Sequence, residues 1–315
     1  MELSSYSKVF VAGHRGLVGS AICRELSRRG FERIIVRTHA ELDLTNQAKV
    51  LEFFSSERPD AVILAAAKVG GIHANFTYPA EFIYENIAIA SNVISAAKQH
   101  QVRKLLNLGS SCIYPRLAPQ PITEDSLLKG ELEITNRAYA VAKIAAIELC
   151  DAYRKQYSCD FISAMPTNLY GPGDNFDLEK SHVLPAMIRK FHDAKVRGDA
   201  SVTLWGTGTV RREFMYSDDM ARAAVHLFEH YSEPGPINVG TGEDVTIAEA
   251  AAIVKQVVGF AGGIQWDTSK PDGTPRKLLS IERLKGTGFK PSVTLEQGIG
   301  LTYAWFLANA QHMRG

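Results

Sequence analysis

The sequence predicts an α/β protein, a Rossmann-type doubly wound parallel sheet with a smaller C-terminal α/β substrate-binding domain. Three observations carry that expectation. Short apolar runs alternate with helix-period segments through the first half; three glycines stand between the first run and the first helical segment; and the rhythm breaks near Asn168, where Gly and Pro cluster in "NLYGPGDNF". Strand alternating with helix builds βαβ units, and hence a parallel sheet covered on both faces. At 315 residues the chain exceeds what one hydrophobic core usually organises, about 250–300 residues. Residues 1–168 are therefore expected to form a dinucleotide-binding domain and 169–315 a substrate-binding domain, with 211–240 returning to the first.

Each element follows from its pattern. Val9–Ala12, Ile34–Val36, Ala61–Ala65, Leu105–Leu108 and Phe161–Met165 are short apolar runs and read as strands. Between them, Leu17–Arg29, Gln47–Ser56, Ala80–Gln99 and Ala138–Tyr157 repeat apolar residues at i, i+3 and i+4, the period of an amphipathic helix. Later, "REFMYSDDMARAAVHLF" and "PINVGTG" read as a helix and a strand that return to the sheet.

Composition narrows the function classes. Thirty-five Lys plus Arg against 34 Asp plus Glu leave a formal charge of +1, without the basic excess that nucleic acid or an anionic membrane would favour. No run approaches the ~20 apolar residues of a membrane span, and residues 1–8 lack the apolar core of a signal peptide, so a cytoplasmic protein is expected. Cys23, Cys112, Cys150 and Cys159 show neither CxxC pairing nor metal-like spacing with His; they are expected to be free thiols, and no metal site is expected.

Gly13, Gly16 and Gly19 form a GxxGxxG turn at the end of the first strand. The first permits a tight turn, the second lets the backbone approach a pyrophosphate, and the third allows close helix–strand packing, while the helix N-terminus offers N–H groups to phosphate. After the second strand, where an NAD-preferring site places an acid for the ribose hydroxyls, the chain reads "VRTHAELDL". Arg37, Thr38 and His39 come first and the acids only at Glu41 and Asp43. Guanidinium groups on Arg15 and Arg37 can grip a 2′-phosphate by bidentate bonds, so NADP(H) is the expected cofactor, with His14 lining the same pocket.

Tyr139 and Lys143 stand at i, i+4 in "AYAVAKIAAIELC", which puts both on one helix face. A nearby ammonium, together with a cationic nicotinamide when the cofactor is oxidised, is expected to lower the tyrosine pKa toward the working range. Ser110, at the carboxyl end of the "LLNLGSS" strand, can donate to a substrate oxygen where open α/β sheets bind ligands.

These residues resemble the extended short-chain dehydrogenase/reductases that act on nucleotide sugars, over nearly the whole chain. Within that family, "AGHRGLVGSAI", "LAAAKVGGIHAN", "LGSSCIYP", "MPTNLYGP", "DNF…SHVLPA", "WGTG…REF" and "SKPDGTPRK" are similar to the enzymes that turn GDP-4-keto-6-deoxy-D-mannose into GDP-L-fucose. The resemblance implies epimerisation at C3 and C5, then NADPH-dependent reduction at C4. It implies Cys112 and His182 as the proton-transfer pair, with the Cys112 pKa lowered by an active-site cation, and Ser110, Tyr139 and Lys143 at the C4 oxygen. It adds Leu17, His39, Asp43, Ala66, Pro166, Asn168, Leu169 and His182 to the cofactor pocket. For the substrate it implies Asn168, Lys190, Trp205, Arg212 and Lys277, although Trp205 reads equally as a core residue. A homodimer through Ala80–Gln99 and Ala138–Tyr157 is also implied.

The chain departs from the pattern at Arg137 before the tyrosine, at Lys190 in place of an arginine, and at Asp177-Leu178 in place of His-Pro. These changes bear on substrate affinity rather than reaction type. A 4-epimerase would want an acid after the second strand, and a 4,6-dehydratase an acid just after the active-site serine; both are absent. A simple 4-reductase needs neither Cys112 nor His182, and a non-catalytic NADP-binding scaffold would need no Ser110, Tyr139 or Lys143.

Overall fold

The computed structural model describes residues 5, 7–178, 181–270 and 272–310, with the backbone alone at 72 and 73. In chain order the first part contains β1 (Lys8–Ala12), α1 (Leu17–Arg28), β2 (Arg33–Ile35), α2 (Gln47–Glu57), β3 (Ala61–Leu64), α3 (Ile72–Thr77), α4 (Pro79–Gln99), β4 (Lys104–Leu108), α5 (Arg137–Tyr157) and β5 (Phe161–Pro166). There follow β6 (Asn168–Tyr170), α6 (Val183–Arg197), β7 (Ser201–Trp205), β8 (Arg211–Arg212), β9 (Phe214–Tyr216), α7 (Ser217–His230) and β10 (Pro236–Val239). The last elements are β11 (Val245–Thr246), α8 (Ile247–Val258), β12 (Gly263–Asp267), β13 (Arg276–Lys277), α9 (Glu282–Gly286) and α10 (Leu295–Asn309).

Six strands form one parallel sheet in the order β10-β5-β4-β3-β1-β2. From β1 the chain builds outward to β2, then crosses back to β3 on the other side. That reversal opens a crevice at the carboxyl ends of β1 and β3, where ligands of doubly wound sheets bind. The sheet is covered on both faces because its strands alternate: Val9 and Val11 join a core with Ile22 and Leu26 of α1 and Leu227 and Phe228 of α7, while Phe10 and Ala12 face Phe53 and Phe54 of α2 and Val93 of α4. The 211–240 segment contributes in two ways, since α7 packs on α1 and β10 closes the sheet beside β5.

A separate core, with Leu184 and Phe191 of α6, Val254 of α8 and Phe306 of α10, underlies the later elements. Small sheets stand on it: β7 pairs with β12, β6 with β9, and β8 lies between β11 and β13. Two sequence expectations shift. The second strand lies one residue earlier than expected, at Arg33–Ile35, leaving Val36 and Arg37 beyond its end. The short helix α3, in "IHANFT" after a Gly pair, was not expected; six residues are too few to show a helical period.

Candidate active site

The glycine turn is shaped by close approach. Gly13 has φ +88°, and a Cβ there would lie 2.7 Å from the Ala66 nitrogen, across the crevice between β1 and β3. A Cβ on Gly19 would meet the Gly13 carbonyl oxygen at 2.1 Å. Gly16, the N-cap of α1, offers no side-chain cap, which leaves the first-turn N–H groups of that helix the kind of donors a phosphate takes. His14 is half-buried and Arg15 exposed beside the turn.

Beyond β2 the charges are more entangled than the sequence suggests. Arg37 is ion-paired with Glu57 on α2, donates Nη1 to the Val36 carbonyl at 2.8 Å and stacks over Phe53. It is not the uncommitted guanidinium expected for a 2′-phosphate. Arg15 makes no ion pair among the described residues, and exposed His39 lies 3.9 Å from Asp43, whose carboxylate accepts from Thr45 N and Oγ1.

Ser110 sits just past β4 and caps a 3-10 turn over Ser111–Ile113, its Oγ accepting from the Cys112 N–H at 3.4 Å. The Lys143 ammonium, buried on α5, donates to the Leu108 carbonyl at 2.8 Å and lies 5.7 Å from the centre of the Tyr139 ring. Phe82 of α4 meets that ring edge-on. Ser110, Cys112, Tyr139 and Lys143 thus gather at the carboxyl end of β4.

Without cofactor, Tyr139 and Cys112 both differ from the lowered pKa expected of them. Burial pushes the Tyr139 pKa above its ordinary value, with the Cys112 sulfur adding to the shift. Burial also raises the Cys112 thiol, outweighing Lys277, Ser110 and Lys143, which pull it down. For Cys112 removal from water costs the anion more than the nearby ammonium groups return, and for Tyr139 burial and the sulfur act in the same direction. Both groups therefore rest as acids. Lys143 bears the same penalty as a cation and is pushed down to about 8.

That shift has a stability consequence. An unfolded lysine titrates near ~10.4, so the folded state carries the cost of the buried ammonium in full below about 8 and loses it as pH rises from there toward the unfolded value. Lys143→Met, measured by urea unfolding, should therefore be most favourable relative to wild type at pH 7, with the advantage shrinking by pH 10. A difference independent of pH would contradict the buried-cation reading.

The opposite wall comes from the later elements. Pairing of β8 with β13 puts Arg212 in register with Lys277. Burial lowers the pKa of each, and Lys277 interacts electrostatically with Cys112 and Arg212. Asn168, at the start of β6, donates Nδ2 to the Glu213 carbonyl at 2.8 Å. His182 is the N-cap of α6; water reaches its side chain, yet the protein around it lowers the imidazole pKa, so it rests neutral at pH 7. Lys190 and Lys270 both lie 5.6 Å from the Trp205 ring, and Trp205 is 67% exposed, which removes the core alternative. Pro166 ends β5, and Leu169 packs against the sheet core.

Two contributors escaped the sequence reading. Glu213 is fully buried, and its carboxylate accepts from Thr241 N at 2.7 Å, Gly242 N at 2.8 Å and Leu279 N at 3.0 Å, tying together the segments that carry Asn168, Arg212 and Lys277. Lys270 joins Trp205 from a loop remote in sequence. Both stand inside strings that carry the family resemblance, "REF" and "SKPDGTPRK", but nothing in those strings sets the Glu or the Lys apart from its neighbours.

A glycine turn at the switch point of a doubly wound sheet, with a serine, tyrosine and buried lysine at the next strand ends, defines a dinucleotide-dependent oxidoreductase of the Rossmann class. Residues 9–240 match the model of the NAD dependent epimerase/dehydratase family, and the chain belongs to that family. It is 58% identical over 312 residues to "GDP-L-fucose synthase 1" of Arabidopsis thaliana, covering 98% of this chain and 97% of that protein. It is 53% identical to "GDP-L-fucose synthase" of Escherichia coli (strain K12), covering 99% and 100%. Among solved structures, a GDP-L-fucose synthetase from Naegleria fowleri bound to NADP superposes with a TM-score of 0.94 at 30% identity, covering 100% of this chain and 97% of that one.

Proposed function

We propose that the protein converts GDP-4-keto-6-deoxy-D-mannose to GDP-L-fucose in nucleotide-sugar biosynthesis, epimerising C3 and C5 and then reducing the C4 ketone with NADP(H) as cofactor. The observation that carries this reading is Cys112 buried beside Ser110, Tyr139 and Lys143, because a plain reductase has no need of a thiol there. The likeness to GDP-L-fucose synthases over nearly the full chain supports the same reading.

NADPH, when bound, supplies the hydride that C4 receives. The turn from Gly13 through Gly19, with His14, Arg15 and Leu17, holds its phosphates, and Arg37, His39, Asp43, Ala66, Pro166 and Leu169 line the rest of the pocket. The tight approach of Gly13 to Ala66 fits such a cradle. A C4 ketone acidifies the protons on both neighbouring carbons, so inversion needs a group that removes a proton from one face and one that returns a proton to the other. Cys112 and His182 are that pair; at rest the thiol holds the proton and the imidazole is neutral. Ser110 and Tyr139 hold the C4 oxygen through the enolate stage, and Tyr139 gives it a proton as C4 is reduced. Asn168, Arg212 and Lys277 meet the hexose and diphosphate, and Trp205 with Lys190 borders the guanine end. Residues 1–168 with 211–240 serve the cofactor, and the remainder of 169–315 serves the sugar nucleotide.

The test is product identity: incubation with NADPH and the keto sugar should yield GDP-L-fucose by chromatography against a standard. A reduced product still in the manno configuration would reassign the protein as a 4-reductase. We also propose a cytoplasmic homodimer. Tyr84 and Ile87 on α4 are exposed, and α4 packs along α5, so two such pairs can form a four-helix bundle. Light scattering should return twice 34.6 kDa, and a single-chain mass would reject it.

A further inference from the structure

We propose that Asp244 is a positioning residue for the sugar-nucleotide substrate: it grips Arg211 and Arg276 on one face of the β8–β13 ladder and so holds Arg212 and Lys277 side by side on the other, as a pair of cations for a diphosphate. This inference rests on the reading of Arg212 and Lys277 as substrate ligands.

The ladder is two residues long on each strand, and all four residues are cations. β8 and β13 run parallel, with Arg211 beside Arg276 and Arg212 beside Lys277. Successive side chains of a strand leave on opposite faces, so each face receives two positive charges. Like charges on strands about 5 Å apart repel, and so short a pairing has few backbone bonds to resist. On one face the repulsion is answered. Arg211 Nε donates to Asp244 Oδ1 at 2.9 Å, Arg276 Nε to Asp244 Oδ2 at 2.5 Å, and Arg211 Nη2 to the Asp244 carbonyl at 2.7 Å. The Asp244 side chain is only 4% exposed, so one buried carboxylate bridges both strands. On the other face Arg212 and Lys277 are half-buried and make no ion pair among the described residues. Asp272 acts on Arg212 from beyond ion-pair reach, its carboxylate bonded to Thr207 N and Oγ1. Two fixed, adjacent cations without a counter-ion complement a diphosphate.

Asp244 is itself fixed to the large sheet. It lies in the turn that follows β10, and Thr241 N and Gly242 N of that turn are held by the Glu213 carboxylate. Glu213 thus reaches from the end of β8 to the turn, while Asp244 reaches from the turn back to β8 and β13. The first is a brace between backbone segments; the second supplies the negative charge that lets the two strands lie together. The Arg211 and Arg276 side chains are 39% and 42% exposed, so both can turn to water if that charge is removed, and the fold should survive.

The experiment titrates the full chain with GDP, by isothermal calorimetry, and with NADPH, by nicotinamide fluorescence, for wild type, Asp244→Asn and the Asp244→Asn/Arg276→Gln double variant. Asn keeps the size of the side chain and the carbonyl that Arg211 uses, and removes only the charge. Asp244→Asn should weaken GDP roughly tenfold, the low end of what a charge-assisted hydrogen bond contributes, and leave NADPH within about twofold. The KM for the keto sugar should rise with it and kcat stay within about threefold, since Asp244 does not reach the reacting carbons. In the double variant a single positive charge is left on that face, so GDP affinity should return to within about threefold of wild type. Unchanged GDP binding in Asp244→Asn, equal losses of GDP and NADPH, or a double variant weaker than the single one would overturn the proposal and make Asp244 an ordinary brace. If Asp244→Asn does not fold, the double variant decides: recovery supports the proposal, and a loss of tenfold or more overturns it. A wild-type chain that takes NADPH but no GDP would overturn the sugar-nucleotide reading, and the proposal with it.

Discussion

Tyr139→Phe is expected to slow NADPH oxidation by roughly 10²–10⁴-fold, the usual contribution of a positioned general acid, while solvent deuterium still enters the substrate. The argument rests on burial. Removed from water and next to the Cys112 sulfur, the Tyr139 hydroxyl keeps its proton, and a protonated phenol is the form that can donate to the C4 oxygen as it gains charge. Phe preserves the edge-on contact with Phe82 and the ring beneath the Lys143 ammonium, so packing should be spared. With proton exchange at C3 and C5 assigned to Cys112 and His182 as proposed, it should fall less than reduction. Stopped-flow absorbance measures the first quantity and NMR the second. Equal losses in both would mean that Tyr139 serves chiefly to hold the ketone during enolisation.

Cys112→Ala has the complementary outcome: exchange at the sugar carbons lost by roughly 10²–10⁴-fold, the same range for a proton-transfer group, with hydride transfer to an unepimerised ketone retained. The thiol is well placed for this role, two residues beyond Ser110, with Lys143 and Lys277 both acting on it. Since burial raises its pKa, the thiolate fraction is small at neutral pH and grows with pH, so the exchange rate of the wild-type enzyme should climb on the alkaline side of neutrality. Exchange unaffected by the substitution would leave Cys112 as a packing residue of the cluster around Ile113 and Tyr114.

The parts of the site that repeat or sit close in sequence were legible. Alternation of Val9 and Val11 against Phe10 and Ala12 announces a strand buried on both faces, and Tyr139 with Lys143 at i, i+4 announces a shared helix face. What depends on distant partners was not. Arg37 reads as an open phosphate ligand until Glu57, twenty residues on, is seen to hold it. The lowered pKa expected for Cys112 considered only the attraction of a cation and omitted desolvation, which is set by how many chain segments close over the thiol. The pairing of Arg212 with Lys277 joins two-residue strands more than sixty positions apart, too short to leave a period. Glu213 binds three backbone N–H groups from segments no local pattern connects.

The most direct measurement is proton NMR of the reaction in D₂O with NADPH and GDP-4-keto-6-deoxy-D-mannose. The account predicts deuterium at both C3 and C5 of a GDP-L-fucose product, with NADPH oxidised in step. NADPH oxidation that leaves both carbons unlabelled, in their original configuration, would contradict it.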